Sequence, residues 1–141
     1  MKNDMVFVYG TLRKGERADL SKHSHQFCVD FISPDAINGS LYHLGAFPGV
    51  KIPDGLVGFD GSKPVVRGET FRIRDASIMV LLDHYEGYPT LYDRMKVTTE
   101  RGREAWVYTY NPPVHPEQLI PSGDWKNSDK VVEMAHRGVI R

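Results

Sequence analysis

Residues 5–16 read MVFVYGTLRKGE. Val6 to Tyr9 are β-branched or aromatic, as a strand prefers. The run then passes straight into Gly10 and Thr11, with Arg13 and Lys14 just behind. No proline or Asn-Gly pair is there to reverse the chain. A first strand that stops on a glycine and a hydroxyl has two readings. Glycine lets a backbone approach a ligand closely, and successive N–H groups in a turn make a concave anion site. Glycine is also the commonest loop punctuation. From these residues alone, ordinary loop punctuation is the plainer reading.

Strand signals dominate the rest. Residues 26–32 (QFCVDFI) place Phe27, Val29 and Phe31 on one face, and residues 37–44 (INGSLYHL) alternate similarly, with Gly39 marking a bulge or a close backbone approach. Residues 47–52 (FPGVKI) open on a Pro-Gly turn, and residues 54–73 suggest two short strands around a glycine-rich hairpin. Residues 91–111 read as a hairpin turning at Arg101, Gly102 and Arg103, with Trp106, Tyr108 and Tyr110 on one face. One helix is clear over 76–86: Ile78, Leu81, Leu82 and Tyr85 follow i, i+3, i+4, i+7. Asp75 or Ser77 caps its start, and Gly87 stands where a left-handed C-terminal cap belongs. A weaker helix is predicted over 128–137. Strands interrupted by so little helix predict an α+β fold, a mixed, antiparallel-rich sheet curled into a small β-barrel and flanked by one or two helices.

Composition narrows the function classes. The 141 residues suit one domain, 1–141, with a core that needs no metal or disulfide. Net charge is zero, which offers no basic surplus for nucleic acid. Cys28 is the only cysteine, so a reducing compartment is expected and no internal disulfide forms. The N-terminus lacks the apolar core of a signal peptide and no stretch has the length of a membrane span. The expectation is a cytoplasmic protein without nucleic-acid or membrane partners; oligomeric state is left open.

Several familiar motifs fail on inspection. Gly10 to Gly15 has the spacing of a phosphate loop, but Glu16 and Arg17 stand where lysine and a hydroxyl are required. No G-x-G-x-x-G follows a strand, and no Gly-x-Ser-x-Gly elbow is present. His23 and His25 form an H-x-H pair with no further ligand at a recognised spacing, and read as solvated residues. Cys28, inside an apolar run, reads as a small core residue. No metal or cofactor is therefore expected.

Residues 81–89 (LLDHYEGYP) carry the candidate chemistry. Glu86 lies at the helix C-terminus, against the negative pole of the macrodipole, among Tyr85, Tyr88 and Tyr92. Both the dipole and desolvation raise a carboxyl pKa, which suits a group that accepts and returns a proton near neutrality. An unfavourable glutamate at a surface helix end is the plainer reading. Asp83 is the rival carboxylate, one turn earlier and on the side away from the Ile78/Leu82 stripe.

Taken together, YGTLRKG near the start and LDHYEGYPTLYDR some seventy residues on closely resemble the gamma-glutamylcyclotransferase-like family. The likeness continues in order through FPGV (47–50), VVRGETF (65–71), AWVYTY (105–110) and IPSGDW (120–125), and is nearest to the gamma-glutamylamine cyclotransferase branch. The resemblance implies the small barrel flanked by helices. It implies that Tyr9, Gly10, Thr11 and Leu12 hold the substrate through backbone groups, and that Glu86, the glutamate of a D-x-x-E-G motif, is the general acid/base. Tyr92, Arg94, Tyr108 and Tyr110 are expected to line or brace the pocket. Arg13 and Lys14 are expected to face solvent and attract a carboxylate from there.

The implied chemistry is self-contained. A gamma-glutamyl group carries its own nucleophile, the α-amine, which attacks the γ-carbonyl to close a five-membered ring. The protein folds the chain into that near-attack shape and moves a proton from the α-ammonium to the departing amine. The products are 5-oxoproline and a free amine, with no cofactor or covalent intermediate. The alternative is a module that binds a carboxylate-bearing metabolite on the same scaffold without turnover.

Overall fold

The computed structural model describes residues 4–10, 12–13 and 29–127. Alternation along β1 (Asp4–Val8) sends Val6 and Val8 into one apolar core and Phe7, followed by Tyr9, into another. A strand buried on both faces belongs in the middle of a sheet, and β1 lies there. It pairs antiparallel with β5 (Val65–Ile73) and parallel with β7 (Glu104–Tyr110) through Val6 and Trp106. Adding β2 (Val29–Asn38) and β6 (Tyr92–Thr98) gives a five-stranded sheet of order β2-β5-β1-β7-β6. Two short strands, β3 (Ser40–His43) and β4 (Pro48–Lys51), form a separate hairpin, and the helix α1 (Ser77–Glu86) packs Ile78, Met79 and Leu82 into the Val6/Val8 core.

The α+β class and the hairpin of β6 and β7 agree with expectation, but the sheet is not closed into a barrel. Its edges, β2 and β6, share no strand pairing. At β6 the Thr98 amide donates instead to the Val57 carbonyl (2.7 Å), in the segment between β4 and β5. Among the described residues, the ties between these edges gather near the tip of the β6–β7 hairpin. There the buried carboxylate of Asp35 on β2 accepts from Thr70 and Thr99 hydroxyls and from the Ala36 and Arg101 amides, with the Arg103 guanidinium at 3.4 Å.

Two further expectations change. Residues 54–64 form no strand; reverse turns close at Pro53/Leu56 and Asp60/Lys63, and Asn38 holds the second through the Asp60 amide and the Asp60 and Pro64 carbonyls. Pro48 and Gly49 are not a turn but the start of β4; the reversal comes earlier, where Leu44 N–H meets Phe47 C=O at 2.9 Å. Gly49 is needed where Tyr110 crosses, since a Cβ would sit 2.7 Å from the Tyr110 Cβ. The predicted helix over 128–137, His23, His25 and Cys28 lie outside the described residues, as do Thr11 and Lys14.

Gly68 marks the tightest crossing of β5 and β1: a Cβ there would overlap the Val8 carbonyl oxygen and lie 2.7 Å from the Phe7 ring. Gly68→Ala is expected to destabilise by about 1–3 kcal/mol, as overpacking a core does. Gly58→Ala, with nothing within 4 Å of the new methyl, should be close to neutral. Urea unfolding midpoints of the two variants make the comparison; equal midpoints would refute the crossing.

Candidate active site

Helix α1 turns a different face to the sheet from the one its aliphatic spacing suggests. Leu81 and Tyr85 are 52% and 54% exposed, while Ile78, Met79 and Leu82 are buried. The inward stripe is Met79, Leu82, Asp83 and Glu86, again i, i+3, i+4, i+7. Asp83 therefore faces the sheet, where the Tyr108 hydroxyl donates to its Oδ1 at 2.6 Å and Arg94 approaches the same oxygen at 3.3 Å. This corrects the expectation that it points away. The helix starts with the Ser77 amide on the Asp75 carboxylate and ends at Gly87, whose left-handed φ of 70° lets the Gly87 and Tyr88 amides reach the His84 and Asp83 carbonyls.

Where α1 ends, a cavity of about 260 Å³ opens. It lies between the end of β1 (Phe7, Val8, Tyr9, Gly10, Leu12), the β3–β4 turn (Phe47, Pro48), the helix end (Tyr85, Glu86) and Leu91, Tyr92 and Tyr108. Tyr9, Gly10 and Leu12 thus share one cavity with Glu86, and Tyr92 and Tyr108 line it as well. Arg94 and Tyr110 stand behind the lining. Arg94 is stacked between the Tyr88 and Trp106 rings (5.1 and 4.9 Å) against Asp83, and Tyr110 packs edge-on to Tyr92 at 5.3 Å. The aliphatic pattern of the sequence carries no sign of Phe47, Pro48 or Leu91 as wall residues. The local sign that both carboxylates face inward is that Asp83 lies four residues after Met79 and Glu86 four after Leu82.

The wall is apolar apart from Glu86 and the phenols. Glu86 has no hydrogen-bond or ion-pair partner among the described residues, and desolvation pushes its carboxyl up to about 7. Three of the lining phenols, those of Tyr9, Tyr92 and Tyr108, commit their protons to the protein. Tyr9 donates to the Tyr108 carbonyl (2.6 Å), Tyr92 to the Pro48 carbonyl (2.8 Å) and Tyr108 to Asp83. Burial raises the Tyr9 hydroxyl well above its ordinary value; burial and then Asp83 do the same for Tyr108. Glu86 is accordingly the group set to exchange a proton near neutrality.

The glycine that ends β1 has a packing cause. A Cβ on Gly10 would lie 2.5 Å from Pro48 Cγ and 2.6 Å from its Cδ, so the bare backbone lets β4 close over this side of the cavity. The turn is fastened by the Arg13 amide on the Gly10 carbonyl (3.0 Å). Arg13 itself is buried, against the expectation that it faces solvent. Its Nε meets Glu69 at 3.1 Å and its Nη1 meets Asp124 at 2.8 Å, tying this turn to β5 and to the turn before Trp125. Its charge serves structure.

Comparison with known proteins decides the family. The model for "Gamma-glutamyl cyclotransferase, AIG2-like" matches residues 6–127. The chain belongs to that family. It is 36% identical over 125 residues to the gamma-glutamylcyclotransferase family protein YtfP of Escherichia coli K12, covering 89% of this chain and 98% of the relative. The solution structure of E. coli ytfP superposes with a TM-score of 0.61 at 31% identity, over 89% of this chain and 98% of that one. An AIG2-like protein of Mus musculus superposes with a TM-score of 0.69, over 88% of each chain; at 20% identity it speaks for the fold alone. Family membership makes this chain an enzyme of the gamma-glutamylcyclotransferase type.

The displaced titration of Glu86 has a consequence for stability. Its folded pKa, about 7, lies above the ordinary 4.5, so the folded state holds the proton more tightly than the unfolded one. Ionisation then opposes folding: there is no cost below about pH 4.5, and a full cost of about 3 kcal/mol above pH 7. Glu86→Gln is expected to be more stable than the natural protein at pH 8, by up to that amount, with the advantage shrinking towards pH 4.5. Unfolding midpoints at the two pH values test this, and a pH-independent difference would contradict it.

Proposed function

We propose that the chain is a gamma-glutamyl cyclotransferase acting on a gamma-glutamyl amine or a related small gamma-glutamyl compound, releasing 5-oxoproline and the free amine. The observation that carries the reading is Glu86, desolvated without a described partner in a cavity that the end of β1 also lines. A carboxyl with a pKa near 7 is half ionised at neutral pH, which is where a general base and its conjugate acid both have effect. It takes a proton from the substrate α-ammonium; the amine attacks the γ-carbonyl; the same carboxyl returns that proton to the departing nitrogen, and the ring nitrogen gives up its second proton, which the freed amine takes to leave as an ammonium. The backbone of Tyr9, Gly10, Thr11 and Leu12 is the proposed cradle for the substrate carboxylate or the developing oxyanion. The cavity walls keep the gamma-glutamyl chain folded, the condition for fast ring closure.

A module that only binds a carboxylate-bearing metabolite gains nothing from an unpaired carboxylate in its cavity. Turnover separates the two readings. Incubation with a panel of gamma-glutamyl amines, gamma-glutamyl dipeptides and glutathione, followed by assay for 5-oxoproline, should identify a substrate. Glu86→Gln keeps the size of the side chain but cannot accept the proton, so turnover should fall by at least about 10²-fold. Glu104→Gln, exposed on β7, is the control and should match the natural protein. Activity of the natural enzyme should rise with pH through about 7 as Glu86 ionises, and Glu86→Gln should lose that limb. Undiminished cyclisation by Glu86→Gln would remove the proton-transfer role.

A further inference from the structure

The direction of one hydroxyl proton carries a further reading of the site. A phenol has a single proton to donate, and on Tyr108 it goes to Asp83 Oδ1 at 2.6 Å, a short charge-assisted bond. Asp83 is held for this purpose from the other side. Arg94 meets the same oxygen at 3.3 Å and is itself clamped between the Tyr88 and Trp106 rings, so neither the carboxylate nor its cation is free to swing away. Tyr108 is 3% exposed and lines the cavity. With its proton engaged behind it, what the hydroxyl offers a ligand is lone pairs, backed by the negative charge of Asp83.

We infer that Asp83 is a positioning residue that locks the Tyr108 hydroxyl as a hydrogen-bond acceptor, and that the pair recognises the α-ammonium of the gamma-glutamyl group. This rests on the cyclotransferase reading of the cavity and adds to it which atoms select the cationic end of the substrate. An ammonium has only protons to offer and needs acceptors. A carboxylate or carbonyl oxygen at the same place would face lone pairs and be repelled. The arrangement therefore does two things: it orients the amine beside Glu86, and it excludes the reversed pose in which the α-carboxylate lies against the helix end. Replacing Asp83 by Asn leaves an amide oxygen to face Tyr108 and Arg94 but withdraws the negative charge behind the hydroxyl, which weakens its hold on an ammonium.

The test measures binding, so that it does not depend on turnover. Two probes are used: gamma-L-glutamyl-n-butylamide and its des-amino counterpart, N-butylglutaramic acid, which differ only in the α-ammonium. Affinities are taken by calorimetry in the Glu86→Gln protein, where the first probe is not consumed, and in the same protein carrying Asp83→Asn or Tyr108→Phe. The parent should prefer the ammonium-bearing probe. Both added substitutions should cut that preference by at least about tenfold, the size expected for a hydrogen bond to a charged group. Affinity for the des-amino probe should hold or, with Asp83→Asn, improve. A merely structural role would weaken both probes equally; that result, or a preference that survives both substitutions, would overturn the inference, as would a parent that does not distinguish the probes. Failure of the cyclotransferase reading has its own signature, an absence of 5-oxoproline from the natural protein across the substrate panel.

Discussion

Everything that forms the cavity depends on β1 being paired along both edges and buried on both faces. Its antiparallel neighbour β5 holds it over the whole of Asp4–Val8, and the parallel contact with β7 is made at Val6 and Trp106. With the strand so held, strict alternation fixes the facing of its last residues: Val8 points towards α1 and Tyr9 towards the β3–β4 hairpin. Two crossings then need glycine. At Gly68 the β5 backbone lies against the Val8 carbonyl, and at Gly10 the ring of Pro48 lies against the chain. Neither glycine has a left-handed φ, so the demand is for space and not for backbone freedom. The end of β1 is thereby delivered to one place, opposite the end of α1, and the Arg13 ion pairs hold it there.

The treatment of carboxylates separates structure from chemistry. Asp35 is buried and surrounded by donors from β2, β5 and the β6–β7 turn. Glu69 is buried against Arg13, and Asp83 is packed against Tyr108 and Arg94. Each of these charges is compensated, as charge withdrawn from water must be in a stable protein. Glu86 alone of the four has no such partner among the described residues, and its pKa is raised in consequence. A desolvated carboxylate that folding does not neutralise is a cost without a structural return, and such sites concentrate where proton chemistry occurs. The neighbouring Asp83 shows the contrast within a single helix turn.

Much of this is legible in the chain. The bounds of α1, its glycine cap, and the β6–β7 hairpin with Trp106, Tyr108 and Tyr110 on one face come from local periodicity and local chemistry, whereas Glu86 is singled out by its place at the helix end and by the family resemblance. The facing of α1 does not, because Leu81 and Tyr85 supply an aliphatic spacing as regular as the true one. Only the position of Asp83 against Arg94 and Tyr108, set by tertiary contact, decides between them. Barrel closure fails for a similar reason: strand count says nothing about edges, and here the Thr98 amide is taken by Val57. Gly10 reads locally as loop punctuation and Arg13 as a solvent-facing cation because their partners, Pro48, Glu69 and Asp124, are distant in sequence. Residues whose role is set by long-range contact are the ones that local reading misplaces.

The cavity lies on the seam between the two cores, and this has a bearing on how rigid it is. Phe7 and Tyr9 belong to the core that contains Val50 and Trp125, whereas Val8, Leu12, Tyr92 and Tyr108 belong to the core beneath α1. Hydrogen bonds cross the seam: Tyr9 donates to the Tyr108 carbonyl and Tyr92 to the Pro48 carbonyl. Lys51 adds a third tie, from β4 to the carbonyls of Tyr110, Asn111 and Pro112 at the end of β7 and just beyond it. Each bond uses a side-chain donor to hold backbone elsewhere in the fold, so the two walls of the cavity are set relative to each other while Glu86 is left without a partner among the described residues. The walls are largely apolar, the phenols of Tyr9, Tyr92 and Tyr108 leave acceptors at the surface, and Glu86, the proposed proton-transfer group, lines the same cavity. For the proposed reaction, a site that folds a flexible chain onto itself needs this kind of fixed enclosure more than it needs reactive groups, since the nucleophile and the electrophile would both arrive with the substrate.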